Sequence, residues 1–181
     1  MAVHCRRFNL YLLLVVISCA LTACRTSSTP EEKAKKKATT VLSVFVETKL
    51  AAGNKSQTIS VPRGNPIEIT VETEPFLTEA FVSEAKVISV IEGFALSIKF
   101  DRRGAWLLEQ YAAGNRGRRL AVRAQFGKGL DQTRWLAAPR ITNRISDGVL
   151  TFTPDATREE TDEIVQGLNN VAKKVQDKSP W

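Results

Sequence analysis

Every cysteine and the only histidine of this 181-residue chain fall within its first 24 positions: His4, Cys5, Cys19 and Cys24. Whatever folds after residue 24 has no disulfide of its own and no zinc site built from Cys and His. Apolar burial therefore has to hold it together. Ser-His-Asp and Cys-His catalytic machinery is excluded there for the same reason. Carboxylate, Lys, Tyr or Ser chemistry remains. The carboxylate pairs Glu31/Glu32 and Glu159/Glu160 fall in a linker and at a helix start rather than in an evident cleft. No enzyme activity, cofactor or metal is expected.

The first residues read as a targeting segment. Arg6 and Arg7 precede an apolar stretch from Phe8 to Ala20 with no acid among them. The uninterrupted apolar part is shorter than the ~20 residues that a spanning helix needs, and the small residues that follow it complete a secretory signal. The run ends in Leu21-Thr22-Ala23-Cys24, which resembles the lipobox of bacterial lipoproteins. That resemblance implies a diacylglycerol on the Cys24 thiol, cleavage between Ala23 and Cys24, and acylation of the new amine. The alternatives are an uncleaved signal anchor and an ordinary signal with a chance Cys. Several acyl chains provide stable anchoring, at ~0.8 kcal/mol per buried methylene. The expected location is the cell envelope, outside the cytoplasm. Arg25, in place of an Asp that would retain the protein at the inner membrane, tilts the expectation toward the outer membrane.

Composition bounds the rest. With 43% apolar and 25% charged residues the chain belongs to the soluble globular class. Its formal charge of +7 includes Arg6 and Arg7, so the part after the signal carries +5, with the chain's 19 acids interspersed through it. That balance is no nucleic-acid surface; it reads as a solvated mixed-charge surface, with attraction to an anionic membrane or to acidic segments of a partner as the alternative.

Residues 1–23 are thus read as signal and 24–38 as a flexible, solvated tether without large apolar residues; contact of Lys33, Lys35, Lys36 and Lys37 with lipid headgroups is the alternative. Residues 39–75 form an N-terminal β segment. In it Val41–Glu47 is rich in β-branched residues, Gly53-Asn54 marks a turn, Thr58–Val61 alternates, and Ile67, Ile69 and Val71 face one way. Residues 76–176 follow as an α+β domain and 177–181 as a tail. Within the domain, Lys86–Ile91 and Phe94–Phe100 predict a hairpin about Glu92-Gly93. Asp101 caps a helix over about 103–113 whose apolar stripe is Trp106, Leu107, Leu108 and Tyr111. Strands follow at 118–126, near 135, and at 149–153. Thr157 and Glu160 form a capping box for a last helix bearing Ile164, Val165, Leu168, Val171, Ala172 and Val175. The predicted fold class is α+β: an antiparallel sheet with two helices on one face, of ferredoxin-like character, preceded by the N-terminal β segment.

A second resemblance rests on ordered motifs. Asn115-Arg116-Gly117-Arg118-Arg119-Leu120-Ala121-Val122 is similar to the Asn-x-Gly-Arg-x-Leu-Ala-hydrophobic segment of SecD, the accessory subunit of the bacterial Sec translocon. Ala137-Ala138-Pro139-Arg140-Ile141 resembles its Ser-Ala-Pro-x-Ile. Ile145-Ser146-Asp147-Gly148, then Phe152-Thr153 and Thr157-Arg158-Glu159-Glu160, resemble its Ile-x-x-Gly, Phe-Thr and Glu-Glu-Ala helix start. The match covers roughly residues 76–175 and implies the head subdomain of the first periplasmic domain of SecD and SecDF. Three departures stand out. Gln125-Phe126-Gly127 replaces Leu-Asp-Gly, Ala137 stands where Ser is usual, and the six-helix membrane domain that couples proton flow to export has no counterpart after the signal. The resemblance therefore implies the fold and contact with polypeptide, not energised transport.

The leading expectation is a lipid-anchored binding module that contacts unfolded, exported or partner polypeptides, or a Sec-type membrane complex. The candidate contact residues are Phe126, Trp135, Leu136, Pro139 and Arg140, with core or turn packing the plainer alternative for each. A structural envelope lipoprotein docking on a membrane complex and a small-ligand-binding lipoprotein are the other readings.

Overall fold

The computed structural model describes residues 38–49, 55–62, 66–91 and 93–178. The signal, the cleavage site at Ala23 and Cys24, the tether before Ala38, the turn residues Gly53, Asn54 and Glu92, and residues 179–181 lie outside them.

The most apolar stretch of the described chain sets the centre of the fold. Strand β1, Val41–Val46, is buried from Leu42 onward. Leu42, Val44 and Val46 enter the main core, while Phe45 enters a second cluster. Side chains alternate between faces along a strand, so a strand apolar on both faces needs cover on both. It also finds hydrogen-bonding partners on both edges. On one side it pairs with the two-residue β4, Leu77–Thr78. On the other it runs antiparallel to β7, Leu120–Phe126, from Val41 opposite Gln125 to Val46 opposite Leu120. Beyond β7 lies β8, Gln132–Ala137, giving the order β4-β1-β7-β8.

Two further antiparallel sheets flank this one. Strands β2, Ser56–Val61, and β3, Ile67–Glu72, pair with Ile59 opposite Ile69. Their buried residues Ile59, Val61, Ile69 and Val71 cover Phe45, Ala121 and Ala138 on the outer face of the central sheet. The third sheet holds β5, Val82–Val90, β6, Gly93–Phe100, and β9, Val149–Phe152, in the order β5-β6-β9. The predicted hairpin is therefore present. Its first strand starts earlier than its apolar pattern suggested, straight after a single 3-10 turn at Glu79–Phe81. Glu79 Oε2 accepts the Leu42 N–H at 3.1 Å and ties that turn to β1.

Helix α1, Arg102–Gly114, begins at Asp101, whose Oδ1 accepts the Gly104 N–H at 2.7 Å as an N-cap should. Its buried row is Gly104, Leu108 and Ala112. Trp106 lies nearly opposite that row and is 59% exposed, so it does not belong to the buried stripe in which the sequence pattern placed it. Helix α2, Arg158–Lys178, opens with the predicted capping box. The Glu160 N–H donates to Thr157 Oγ1 at 3.2 Å, and the Thr157 N–H donates to Glu160 Oε2 at 2.8 Å. Ile164 and Leu168 of α2 join Leu108 and Ala112 of α1 in one core with the inner faces of the central and third sheets.

The fold is α+β, with antiparallel strands and two helices, as expected. The strands divide among three sheets rather than one, because β1 takes the place beside β7 and the hairpin pairs with β9 instead. No helix among the described residues is long and apolar enough to cross a membrane.

Two features of α2 fix its seat. Asn169 Oδ1 accepts the Ala85 N–H at 2.8 Å and its Nδ2 donates to the Ala85 carbonyl at 2.9 Å. The side chain thus stands in for a strand partner on β5. Gly167 faces the incoming chain so closely that a Cβ there would lie 2.7 Å from the Thr40 nitrogen, and Asn170 Nδ2 donates to the Ala38 carbonyl at 2.9 Å.

The capping box also carries a pH response. The Thr157 N–H holds the Glu160 carboxyl below its usual value of 4.5; burial opposes it, and the Arg134 guanidinium adds to the lowering. A carboxyl depressed in the folded state adds stability that is complete above its unfolded pKa and is lost as pH falls through the folded one. Glu160→Gln is expected to remove that part of the acid-side slope, read as melting temperature across a pH series below about 5. An unchanged slope would refute the assignment.

Candidate functional site

An unpaired strand edge is the feature of a sheet protein most ready to take a partner, and proteins commonly cover such edges. Three of the outer edges here are short or covered. Strand β4 has only two residues. On β5, Asn169 holds the backbone of Ala85. On β8, the Asp155 N–H donates to the Leu136 carbonyl at 2.7 Å, and Arg134 reaches both Glu160 oxygens at 2.7 and 2.9 Å.

Strand β9 differs. Its partner β6 lies on one side, and no strand pairs with its other side among the described residues. The Phe100 N–H donates to the Gly148 carbonyl at 2.9 Å, and Leu150 stands opposite Ile98. In an antiparallel ladder alternate residues then turn their backbone groups outward, which here are Val149 and Thr151. The Val149 N–H is taken by Asp147 Oδ1 at 3.1 Å. The N–H and C=O of Thr151 face away from β6.

Beside this edge lies an open groove of about 490 Å³. Leu120, Ile141 and Leu150, all buried, form its apolar floor with half-buried Ile145. Its far wall is the segment Pro139–Ile141. The Leu120 N–H donates to the Pro139 carbonyl at 2.9 Å and the Ile141 N–H to the Arg118 carbonyl at 2.8 Å, which holds that wall to the start of β7. Near β9 the turn Ser146-Asp147-Gly148 closes one end. Gly148 has φ 67° and its missing Cβ would lie 2.5 Å from Ala105 Cβ of α1, so only glycine fits where the turn meets the helix. Arg144, also on the rim, pairs with Glu109 of α1 at 2.6 Å.

Of the five residues singled out from the sequence, Pro139 and Arg140 line this groove. Phe126 and Leu136 are fully buried in the main core. Trp135 is half-buried on the outer face of the central sheet, 5.4 Å from the Phe45 ring and under the Arg123 guanidinium at 5.5 Å. The fold does not gather the five into one place. Sequence reasoning missed Ile145, Asp147 and Thr151 as groove residues. Ser146-Asp147-Gly148 and the strand after it were legible, but nothing local to them reports that β9 ends its sheet.

These observations define a class: an α+β module of three antiparallel sheets and two helices, in which the β9 edge lies open over an apolar-floored groove. No protein-family model and no curated protein matches the chain. Solved structures of SecDF do. One, described as a membrane component that enhances protein export, superposes with a TM-score of 0.55 at 17% identity, over 82% of this chain and 70% of the other. A second, SecDF in a super-membrane-facing form, gives 0.53 at 17% identity, over 79% of this chain and 21% of the other. The chain therefore spans about a fifth of that second protein's length. The chain carries a SecD/SecDF-like fold, in agreement with the order of its motifs.

Proposed function

We propose that the protein is a lipid-anchored module of the cell envelope that holds extended polypeptides as an added strand on β9. The observation that carries this reading is the open β9 edge, with the outward backbone of Thr151 beside an apolar groove. Strand addition takes its affinity from main-chain hydrogen bonds and its specificity from pockets for alternate side chains. The SecD-like fold supports a polypeptide partner, exported or belonging to a Sec-type complex. The module acts by binding: it is not an enzyme and does not energise transport. The lipid on Cys24 holds it to a membrane on the side away from the cytoplasm, with the outer membrane favoured by Arg25.

Two measurements test this. A photo-crosslinking residue at position 146 is expected to capture nascent secreted polypeptides in cells, and Thr151→Pro is expected to abolish that capture. Proline removes one donor on the free side and is tolerated at an edge; it also removes the hydrogen bond that Thr151 Oγ1 donates to Ser97 Oγ at 3.3 Å, so melting temperature should fall by no more than about 5 °C. Capture that survives Thr151→Pro, or capture of a single membrane protein alone, would overturn the reading. For the anchor, Cys24→Ser is expected to abolish labelling by a fatty-acid analogue and to leave residues 1–23 attached. A wild-type chain that takes up no label would sink the lipid assignment.

A further inference from the structure

The same groove carries a charge pattern that backbone pairing alone leaves unused. Arg140 and Arg144 stand exposed on its rim. Asp147 is the acid on the rim, and its Oδ1 is turned back onto the Val149 N–H. Arg144 reaches Glu109, yet its side chain stays 66% exposed, so it can meet a second carboxylate from the solvent side. Arg140 faces Arg119 across an antiparallel bridge. Like charges placed opposite each other on neighbouring strands repel. Arg119 spends one donor on the Ala138 carbonyl at 2.9 Å. Glu47 supplies a carboxylate on that side, where its Oε2 accepts the Arg119 backbone N–H at 2.7 Å. On the groove side, Arg140 is left as the cation best placed to gain a partner.

We infer that the groove selects acidic extended polypeptide segments. Carboxylates of the added strand seat on Arg140 and Arg144, and its alternate apolar side chains meet Leu120, Ile141 and Leu150. Charge complementarity of this kind sets the choice of partner more than it sets raw affinity. The inference rests on the strand-addition reading, and the test separates the two.

Three short fluorescent peptides share one set of alternating apolar residues and differ in the residues between them: Glu, Gln or Lys. Each is titrated against the full chain in detergent micelles. The Glu peptide is expected to bind about three- to tenfold tighter than the Gln peptide at low salt, the gain that two exposed charge pairs supply. The preference should shrink as salt is raised. The double variant Arg140→Gln/Arg144→Gln should erase the preference, read as equal affinity for the Glu and Gln peptides, while an unchanged circular dichroism spectrum shows that the domain is still folded. Equal binding of the Glu and Gln peptides, both lost in Thr151→Pro, would overturn acid selection and leave strand addition standing. A preference that persists in the double variant would overturn the role of these arginines. If none of the three peptides binds, strand addition fails and acid selection fails with it.

Discussion

Phe126→Ala is expected to destabilise the protein by about 3–5 kcal/mol, enough to unfold a large fraction of it near physiological temperature. Phe126 is fully buried at the end of β7, in the core shared by both helices. Truncation removes its transfer free energy and leaves a cavity that interlocked strands cannot close. The neighbouring Gln125, on the opposite face and half-exposed, is the contrast: Gln125→Ala should change stability by less than about 0.5 kcal/mol. Urea denaturation of the two variants checks this. A Phe126→Ala protein of near wild-type stability would mean that the ring is not in the core. The result bears on function too, since weakened polypeptide capture by this variant would report loss of fold rather than loss of a contact.

The second large effect is expected at Asn169. Asn169→Leu leaves the N–H and C=O of Ala85 without partners in a position where Ala85 is only 3% exposed. Each orphaned group costs about 1–3 kcal/mol. The variant also uncovers part of the β5 edge, and an uncovered edge invites pairing between copies. Lower thermal stability together with concentration-dependent association is the expected outcome, measured by thermal melts and light scattering. Asn169→Asp separates the two contributions: it keeps the acceptor for the Ala85 N–H and loses the donor to the carbonyl. It should fall between wild type and Asn169→Leu. A variant that stays monomeric and fully stable would show that the amide does not close this edge.

What could be read from the sequence was what depends on neighbours along the chain. Asp101 and Gly104, or Thr157 and Glu160, lie three residues apart, so their caps are written locally. The β5–β6 hairpin needs only a turn between two alternating runs. Pairing partners are another matter. Val44 meets Val122, 78 positions away, and many apolar strands would have suited either side of β1. Trp106 shows the limit of periodicity. Its apolar neighbours Leu107 and Leu108 suggested a wide stripe, but Gly104 and Ala112 are small enough to let the helix approach, and they carry the buried row instead. The groove was half legible for the same reason. Pro139 and Arg140 stood out in a motif, while the open edge beside them is a property of the whole sheet.

The seating of Ala38 and Thr40 on α2 has a mechanical consequence. Tension applied to the chain before Ala38 reaches the domain at the Asn170 clamp and the close passage over Gly167, and passes from there into β1. Strand β1 is held antiparallel by β7 along six successive residues, so a pull directed along it loads those bonds together, in shear, rather than one by one. A domain strung from a bilayer and gripping a moving chain would feel such a load, and this entry point lets it be carried by the middle of the fold instead of peeling away an end.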